Sequence, residues 1–164
     1  SLSIDEGGRK NMEVKIEKHD PLKVAFIRHT GAYDTCGEAW GKLCGAPEVA
    51  SKLGPDTLAL SLCYDDPDVT ETDKIRMDVC VTVDDGFVPG NGIEVQTIPG
   101  GEFAVVVYNG AYSGLHDAYR AIYGEWMPKS GREFGDSYSM EIYRTDPEKT
   151  PPEESITEIR IPLL

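Results

Sequence analysis

The tripeptide Gly31-Ala32-Tyr33 returns in the second half of the chain as Gly110-Ala111-Tyr112, and the same offset in residue number extends far beyond these positions. Residue pairs on either side match in size and polarity, among them Val14-Lys15-Ile16 with Ile93-Glu94-Val95, Ala25 with Ala104, Trp40 with Tyr119, and Tyr64 with Tyr143. Agreement over such a length without a gap predicts an internal duplication. The two halves are predicted at residues 12–85 and 91–164.

Both halves carry the same order of elements: strand, strand, helix, strand, strand. Turn signals at His19-Asp20-Pro21 and at Pro99-Gly100-Gly101 separate the first two β-prone runs of each half, which predicts an opening β-hairpin in both. The fold class is therefore α+β, with two related units, mostly antiparallel strands, pseudo-twofold symmetry and a ligand groove between the halves. A buried helical stripe is expected in the second half at Tyr112, Leu115, Tyr119, Ile122 and Trp126.

Composition narrows the class of protein before any site is considered. The 164 residues carry a formal charge of −13, and 40% of them are apolar, which suits a globular domain with a core. A surplus of acids disfavours contact with nucleic acid or with an anionic membrane. The longest apolar run, Phe103–Tyr108, is too short to cross a bilayer, and no signal sequence is apparent, so a soluble, cytoplasmic protein is expected.

The N-terminal residues 1–11 are polar and contain glycines, with no apolar periodicity. They are predicted to be a linker or the remains of an expression tag, outside the fold. They are also too short for a helix-turn-helix, so the chain itself is not expected to contact DNA, although a DNA-binding domain could be fused to it.

Metal and cofactor sites are not predicted. The cysteines form no C-x-x-C pair and the histidines have no ligand spacing, and all seven residues are scattered: Cys36, Cys44, Cys63, Cys80, His19, His29 and His116. The thiols are expected to be reduced and packed as small hydrophobic groups.

One acid interrupts an otherwise apolar strand. In Tyr138–Tyr143 the alternation places Glu141 on the same face as Ser139 and Tyr143, and by the offset of the Gly-Ala-Tyr repeat its counterpart is Leu62. Two interpretations stay open at this point. Glu141 is either an ordinary exposed acid or a carboxylate in a pocket, which would need compensation by a cation or by hydrogen bonds.

Aromatic side chains favour the second interpretation. Aromatic rings around one acidic group bind organic cations, although each ring taken singly could equally be part of the core. The candidate ligand-binding residues are Glu141, Trp126, Tyr33, Tyr64, Tyr112, Tyr119 and Tyr143.

Two segments also resemble a known family. The pattern Y-x-x-I-Y-G-E-W-M-P-x-S-G followed by S-M-E-I-Y, at residues 119–143, is similar to the signature of the GyrI-like effector-binding domains, as are Cys63–Pro67 and Lys74–Val79. That superfamily includes ligand-binding domains of AraC-type (Rob-like) and MerR-type (BmrR-like) transcription regulators, and gyrase-inhibitory proteins. The resemblance covers residues 12–164 and implies that Glu141 is the buried carboxylate that recognises cationic drugs.

Three functions follow as hypotheses. The first is a small-molecule-binding effector domain of a bacterial AraC-type regulator or of a free-standing relative, with a cationic or amphipathic aromatic ligand. The second is a hydrolase of reactive electrophiles, in which Glu141 activates water and Tyr112 or Tyr143 assists. The third is a protein-interaction module like the gyrase inhibitors. No residue is assigned a catalytic role unless the hydrolase hypothesis holds.

Overall fold

The structure, a computed structural model, describes residues 2–5, 11–90, 92–135 and 138–164, with side chains from residue 13 onward. It divides into two compact units: a terminal unit, Ser1–His19 with Gly101–Leu164, and a central unit, Asp20–Gly100. The strands are β1 (Leu2–Asp5), β2 (Asn11–His19), β3 (Leu22–Thr30), β4 (Ala59–Cys63), β5 (Arg76–Thr82), β6 (Glu94–Ile98), β7 (Gly101–Asn109), β8 (Ser139–Tyr143) and β9 (Ile156–Pro162).

Helical segments follow the second strand of each repeat. They are α1 (Gly37–Gly45), α2 (Pro47–Ala50), α3 (Leu115–Ala121) and α4 (Met127–Ser130), with a π-helical turn, Ile122–Trp126, between α3 and α4. Short 3-10 turns at Tyr33–Thr35 and Tyr112–Gly114 precede α1 and α3. None of the helices in the described part of the chain is long and apolar enough to span a membrane.

The strand pairing differs from the predicted hairpins. In the terminal unit the order is β1-β2-β7-β9-β8, and in the central unit it is β4-β5-β3-β6, all antiparallel. Strand β2 therefore pairs with β7, and β6 pairs with β3, so each unit takes its first strand from the other repeat. The prediction of two opening hairpins is wrong, whereas the α+β class with antiparallel pairing is confirmed.

The N-terminal residues also differ from the prediction. Strand β1 pairs with β2 in the register Leu2↔Val14 to Asp5↔Asn11, so Leu2–Asp5 is part of the terminal unit's sheet. The expectation of a linker outside the fold was wrong for this segment because four residues too short to show a period can still extend an existing sheet edge. Residues 6–10 lie outside the described part of the chain.

The difference in residue number between equivalent positions of the two repeats increases by one along the chain. Strand β3 maps onto β7 with the offset that relates Gly31 to Gly110, but β4 maps onto β8, and β5 onto β9, one position further along. The pair Ser61↔Val79 in the central unit thus corresponds to Glu141↔Ile159 in the terminal unit. The counterpart of Glu141 is Ser61, and the prediction of Leu62 was wrong by one residue, as was the match of Tyr64 with Tyr143. A one-residue shift moves a strand position to the opposite face.

Each sheet packs one face against its own helices. In the terminal unit the core includes Val106, Ile122, Trp126 and Ile159, and Tyr119 packs against it. In the central unit the core includes Ala25, Leu43, Val79, Val81 and Ile93. The predicted helical stripe is therefore buried at Leu115, Ile122 and Trp126 and partly buried at Tyr119, whereas Tyr112, which lies in the 3-10 turn, is 40% exposed.

The repeated Gly-Ala-Tyr turn wraps around one polar side chain in each unit. The Tyr108 hydroxyl donates to the carbonyl of Ala111 at 2.8 Å. At the equivalent place His29 Nε2 lies 3.0 Å from the carbonyl oxygen of Ala32. A Cβ on Gly114 would collide with the Tyr108 hydroxyl, whereas the smaller His29 leaves room for Thr35 at the matching position. The bulk of the strand residue therefore decides which residue the turn can carry.

Candidate functional site

Glu141 lies on β8, on the sheet face that the helices of the terminal unit cover. Its strand neighbour is the core residue Ile159, and only 8% of Glu141 is exposed. The sequence left two interpretations open for this acid, and its burial excludes the ordinary exposed one. A carboxylate in this position needs hydrogen bonds or a cation to offset its lost hydration.

Two tyrosine hydroxyls donate to this carboxylate. Tyr119, from α3, donates to Glu141 Oε2 at 2.7 Å, and Tyr143, two residues along the strand, donates to Oε1 at 3.1 Å. The Ser139 hydroxyl donates in turn to the Tyr119 oxygen at 3.2 Å. We call Tyr119, Ser139, Glu141 and Tyr143 the Glu141 cluster. Hydroxyl donors stabilise the ionised carboxylate without cancelling its charge.

Further aromatic rings extend the cluster toward solvent. Tyr112 makes an edge-to-face contact with Tyr143, with ring centroids 5.7 Å apart, and Tyr123 stacks on Tyr119 at 6.3 Å. Burial raises the pKa of the Tyr112 hydroxyl, and the charges of Glu141 and Asp146 raise it further. Tyr112 is therefore neutral at physiological pH, and its ring faces a negatively charged region.

The other three candidates have different surroundings. Trp126 is buried in the core of the terminal unit. Tyr33 and Tyr64 belong to the central unit, where the Tyr33 hydroxyl donates to the backbone carbonyl of Asp65. Of the seven candidate residues, Glu141, Tyr112, Tyr119 and Tyr143 come together. The groove expected between the halves stays a prediction.

Tyr64 instead belongs to a second buried carboxylate that the sequence analysis did not single out. Asp78 on β5 has no solvent exposure, and the Tyr64 hydroxyl donates to its Oδ2 at 2.7 Å. Arg28 Nε donates to Oδ1 at 2.5 Å, and the Gln96 amide donates to Oδ2 at 3.0 Å. The pattern Met77-Asp78-Val79 has the same signal as Glu141, an acid inside an apolar strand.

The environment of Asp78 is that of a satisfied ion pair. The hydrogen bond to Asp78 raises the pKa of Arg28, and burial followed by the bond to Asp78 raises the pKa of Tyr64. The Arg28 guanidinium also lies over the Tyr64 ring at 4.9 Å. Because Asp78 alternates with Met77 and Val79 of the helix-facing core, its side chain lies on the opposite face of the sheet.

Neither a metal site nor a cleft that includes the candidate residues is found among the described residues. Among the described residues no group of three or more His, Cys, Asp or Glu could hold a metal ion. A cleft of about 400 Å³ lies in the central unit, but it includes none of the candidate residues; it is lined by Ile27, Gly41, Lys42, Gly45, Ala46, Gly92 and Ile93.

Comparison with known proteins assigns the chain to a family. A DNA gyrase inhibitor 2 from Dickeya dadantii (strain 3937) is 31% identical over 109 residues, which cover 62% of this chain and 68% of that protein. The C-terminal domain of EcmrR has the same fold, with 20% identity, a TM-score of 0.72 and coverage of 93% of this chain and 98% of that one. In the EcmrR–DNA complex the match spans 57% of the EcmrR chain.

A further solved structure, SAV2435 bound to tetraphenylphosphonium, has a TM-score of 0.63 and 19% identity and covers 93% of this chain and 94% of that one. At this level of identity the likeness shows the fold alone. The sequence itself matches the GyrI-like small molecule binding domain over residues 12–164. The chain therefore belongs to the family of GyrI-like small molecule binding domains.

Proposed function

We propose that the Glu141 cluster is the recognition site for an aromatic or amphipathic organic cation. The observation that carries the proposal is a carboxylate that is 8% exposed, receives two tyrosine hydroxyls and is surrounded by aromatic rings. Removal of water strengthens the attraction between such a charge and a cation, and ring faces attract cations further. An aromatic cation satisfies both requirements.

The similar proteins support this ligand class and a regulatory role. SAV2435 binds tetraphenylphosphonium, a lipophilic aromatic cation, and EcmrR forms a complex with DNA. We propose that this chain is the effector module of a bacterial transcription regulator or a free-standing relative, in which the bound cation is the signal. The net charge of −13 gives the module no electrostatic affinity for DNA of its own.

Calorimetric titration of tetraphenylphosphonium tests the site. Glu141→Gln keeps the shape of the side chain and removes its charge, so the cation should lose about 1.5 to 3 kcal/mol of binding free energy, or roughly 10-fold to 150-fold in Kd. Triphenylphosphine oxide, a neutral analogue, should lose much less. Equal cation affinity for the wild type and Glu141→Gln would overturn the proposal.

A control variant separates local recognition from overall charge. Glu153→Gln removes one charge from an exposed position of the same unit. Its affinity for the cation should stay close to that of the wild type at about 0.15 M salt because solvent and salt screen an exposed charge. Incubation with a strained electrophile distinguishes binding from the hydrolase hypothesis, which requires turnover of that electrophile and its loss in a folded Glu141→Gln variant.

A second candidate function is favoured by the sequence relatives. The Dickeya dadantii protein that resembles this chain is named a DNA gyrase inhibitor. The purified chain added to a gyrase supercoiling assay tests this function directly. Inhibition at equimolar protein that persists in Glu141→Gln would favour a protein-interaction module, and absence of inhibition would leave cation binding as the function.

A further inference from the structure

Strand β9 carries a buried hydroxyl that no hydrogen bond satisfies. Thr157 has no solvent exposure, and its Oγ1 is the one buried side-chain oxygen or nitrogen without a hydrogen-bond partner in the part of the chain that the structure describes. A threonine hydroxyl can donate one hydrogen bond and accept two. Burial of such a group without a partner is unfavourable, so its presence at this position needs a reason.

This hydroxyl is a neighbour of the Glu141 cluster. In the register of β8 and β9, Thr157 is directly opposite Tyr143, and Ile159 is directly opposite Glu141. Thr157 and Ile159 are two positions apart, so Thr157 also lies on the helix-facing side of the sheet. Diagonal neighbours such as Glu141 and Thr157 are roughly 7 to 8 Å apart in an antiparallel pair. One small group of a ligand can therefore contact both side chains.

The tyrosines on either side of Thr157 use their hydroxyls elsewhere. Tyr108 on β7 is the neighbour on one side, and its hydroxyl donates to the carbonyl of Ala111 at 2.8 Å. Tyr143 is the neighbour on the other side, and its hydroxyl donates to Glu141 Oε1 at 3.1 Å. The surrounding protein thus leaves the hydrogen-bonding capacity of Thr157 unused.

Packing explains the size of Thr157 but not its hydroxyl. In the central unit the equivalent position holds Met77, which lies between His29 and Cys63. A large side chain fills the space between these smaller neighbours, whereas two tyrosine rings leave space for a small residue only. Valine has the shape of threonine without the oxygen, so packing alone favours valine. A polar group that is kept against packing is typical of a functional site.

The charges near Thr157 favour a hydrogen-bond donor as its missing partner. Burial raises the pKa of the Tyr112 hydroxyl, and the charges of Glu141 and Asp146 raise it further, which shows that the region is negative. Tyr112 lies against Tyr143, the neighbour of Thr157. A negative region attracts the positive end of an N–H bond and repels the lone pairs of an acceptor atom.

We propose that Thr157 is a specificity-determining residue of the cation site, and that its Oγ1 accepts an N–H from a primary or secondary ammonium group whose charge faces Glu141. This inference rests on the proposed function of the Glu141 cluster and names the class of cation. Such a nitrogen carries at least two N–H bonds, one for the carboxylate and one for the hydroxyl. A quaternary ammonium or phosphonium ion supplies the charge but leaves the hydroxyl unpaired.

Two probes that differ only in their N–H bonds test the inference by calorimetric titration. Dibenzylammonium and dibenzyldimethylammonium both carry two phenyl rings and one positive charge, but only the first has N–H bonds. Thr157→Val should weaken dibenzylammonium binding by about 10-fold or more and change the Kd of dibenzyldimethylammonium by less than about 2-fold. Thr157→Ser keeps a hydroxyl and should retain most of the dibenzylammonium affinity. Glu141→Gln should weaken both cations because it removes the charge.

Thermal denaturation of the ligand-free chain gives a second readout. Thr157→Val removes an unpaired buried hydroxyl, so Tm should rise by about 2 to 4 °C. Thr82→Val is the matched control: the Thr82 hydroxyl accepts the Leu58 N–H at 2.9 Å, so its removal should lower Tm. A lower Tm for Thr157→Val, or an equal loss of affinity for the two cations in that variant, would overturn the inference.

The inference and the proposed function fail in different ways. If both cations bind and both lose affinity in Glu141→Gln, but Thr157→Val binds dibenzylammonium as the wild type does, only the preference for amines is wrong. If neither cation binds the wild-type chain, or if Glu141→Gln binds both as the wild type does, cation recognition at the Glu141 cluster is wrong and the preference for amines is overturned with it.

Discussion

Both units of the molecule bury a carboxylate, but on opposite faces of their sheets. In the terminal unit Glu141 faces the helices and receives hydroxyls from Tyr119 and Tyr143. In the central unit the equivalent positions hold Ser61, Trp40 and Cys63. The central unit therefore has neither the carboxylate nor the two tyrosine hydroxyls at these positions. The helix-facing acid is a property of one repeat only.

On the other face both units carry an acid that pairs with arginine, but the arginines stand at different positions. In the central unit Asp78 pairs with Arg28. In the terminal unit the matching residues are Glu158 and Val107, and Glu158 instead forms ion pairs with Arg144 and Arg160. The duplicated fold thus tolerates a buried acid on either face when hydrogen-bonding partners accompany it, from a helix and the same strand for Glu141 and mainly from neighbouring strands for Asp78. An acid paired with arginine supports structure, whereas an acid held by neutral hydroxyls keeps its charge available to a ligand.

The largest effect should come from the central ion pair. Asp78→Ala removes the acceptor of Arg28, Tyr64 and Gln96 at a site without solvent exposure, and we expect the free energy of unfolding to fall by about 3 kcal/mol. Urea denaturation measures it. Glu71→Ala breaks the exposed pair with Lys74 and should change stability by less than about 0.5 kcal/mol. Equal losses in the two variants would contradict the contrast between buried and exposed pairs.

The next effect concerns the repeated turn. Gly114→Thr brings a Cβ against the Tyr108 hydroxyl and should cost roughly 2 kcal/mol. Adding Tyr108→His recreates the His29–Thr35 pair of the central unit, so the double variant should be more stable than Gly114→Thr alone. Thermal denaturation of both variants measures how far the change at Tyr108 offsets the loss of stability caused by Gly114→Thr. Simple additivity of the two changes would show that the two turns are not equivalent.

A smaller change of opposite sign is expected in α1. Gly41→Ala adds a methyl group into open space and removes backbone freedom from the unfolded chain, so stability should rise by about 0.5 to 1 kcal/mol. Gly110→Ala provides the contrast because Gly110 has φ +155° and its Cβ would lie 2.8 Å from the Tyr108 hydroxyl. Denaturant midpoints should move in opposite directions for the two variants.

The smallest effect is a difference in acid sensitivity. Burial acts to raise the pKa of Glu158, but hydrogen bonds from Arg144 and Arg160 outweigh it and lower that pKa overall. A lowered folded-state pKa adds stability above the unfolded value of about 4.3, and this contribution is lost as the pH falls through the folded pKa. Glu158→Gln should therefore lose stability at pH 7 but approach the wild type near pH 3. A constant difference between pH 7 and pH 3 would contradict the prediction.

The sequence was a good guide to the elements and a poor guide to their partners. Strands β3 and β7 follow from β-prone runs next to turn signals, and period-two alternation marks β8. Pairing of β2 with β7 was not predictable because a turn between adjacent strands suggests a hairpin, whereas the structure pairs two strands that the whole central unit separates in the sequence. The hydrophobic pattern of a strand does not show which other strand it pairs with.

The candidate site was recovered in part. Glu141 was identified because it is an acid in an apolar strand. Tyr119 was among the candidates and lies on the predicted helical stripe. Tyr64 was misplaced because one residue enters the repeat between Gly114 and Ser139, the region of the π-helical turn, and an ungapped offset does not detect it. Asp78 carried the same signal as Glu141 but was not singled out.

The exchange of first strands between the repeats has a consequence for synthesis on the ribosome. The central unit is one continuous segment, so its sheet can close soon after Ile98 emerges. Strand β2 is made before that unit but meets β7, its partner on the inner edge, only when β7 has been added behind it. At translation rates of about 5 to 20 residues per second, synthesis of the intervening chain lasts roughly 4 to 16 s. During that time β2 can pair only with β1, and its other edge is available for chaperones or other nascent chains to bind.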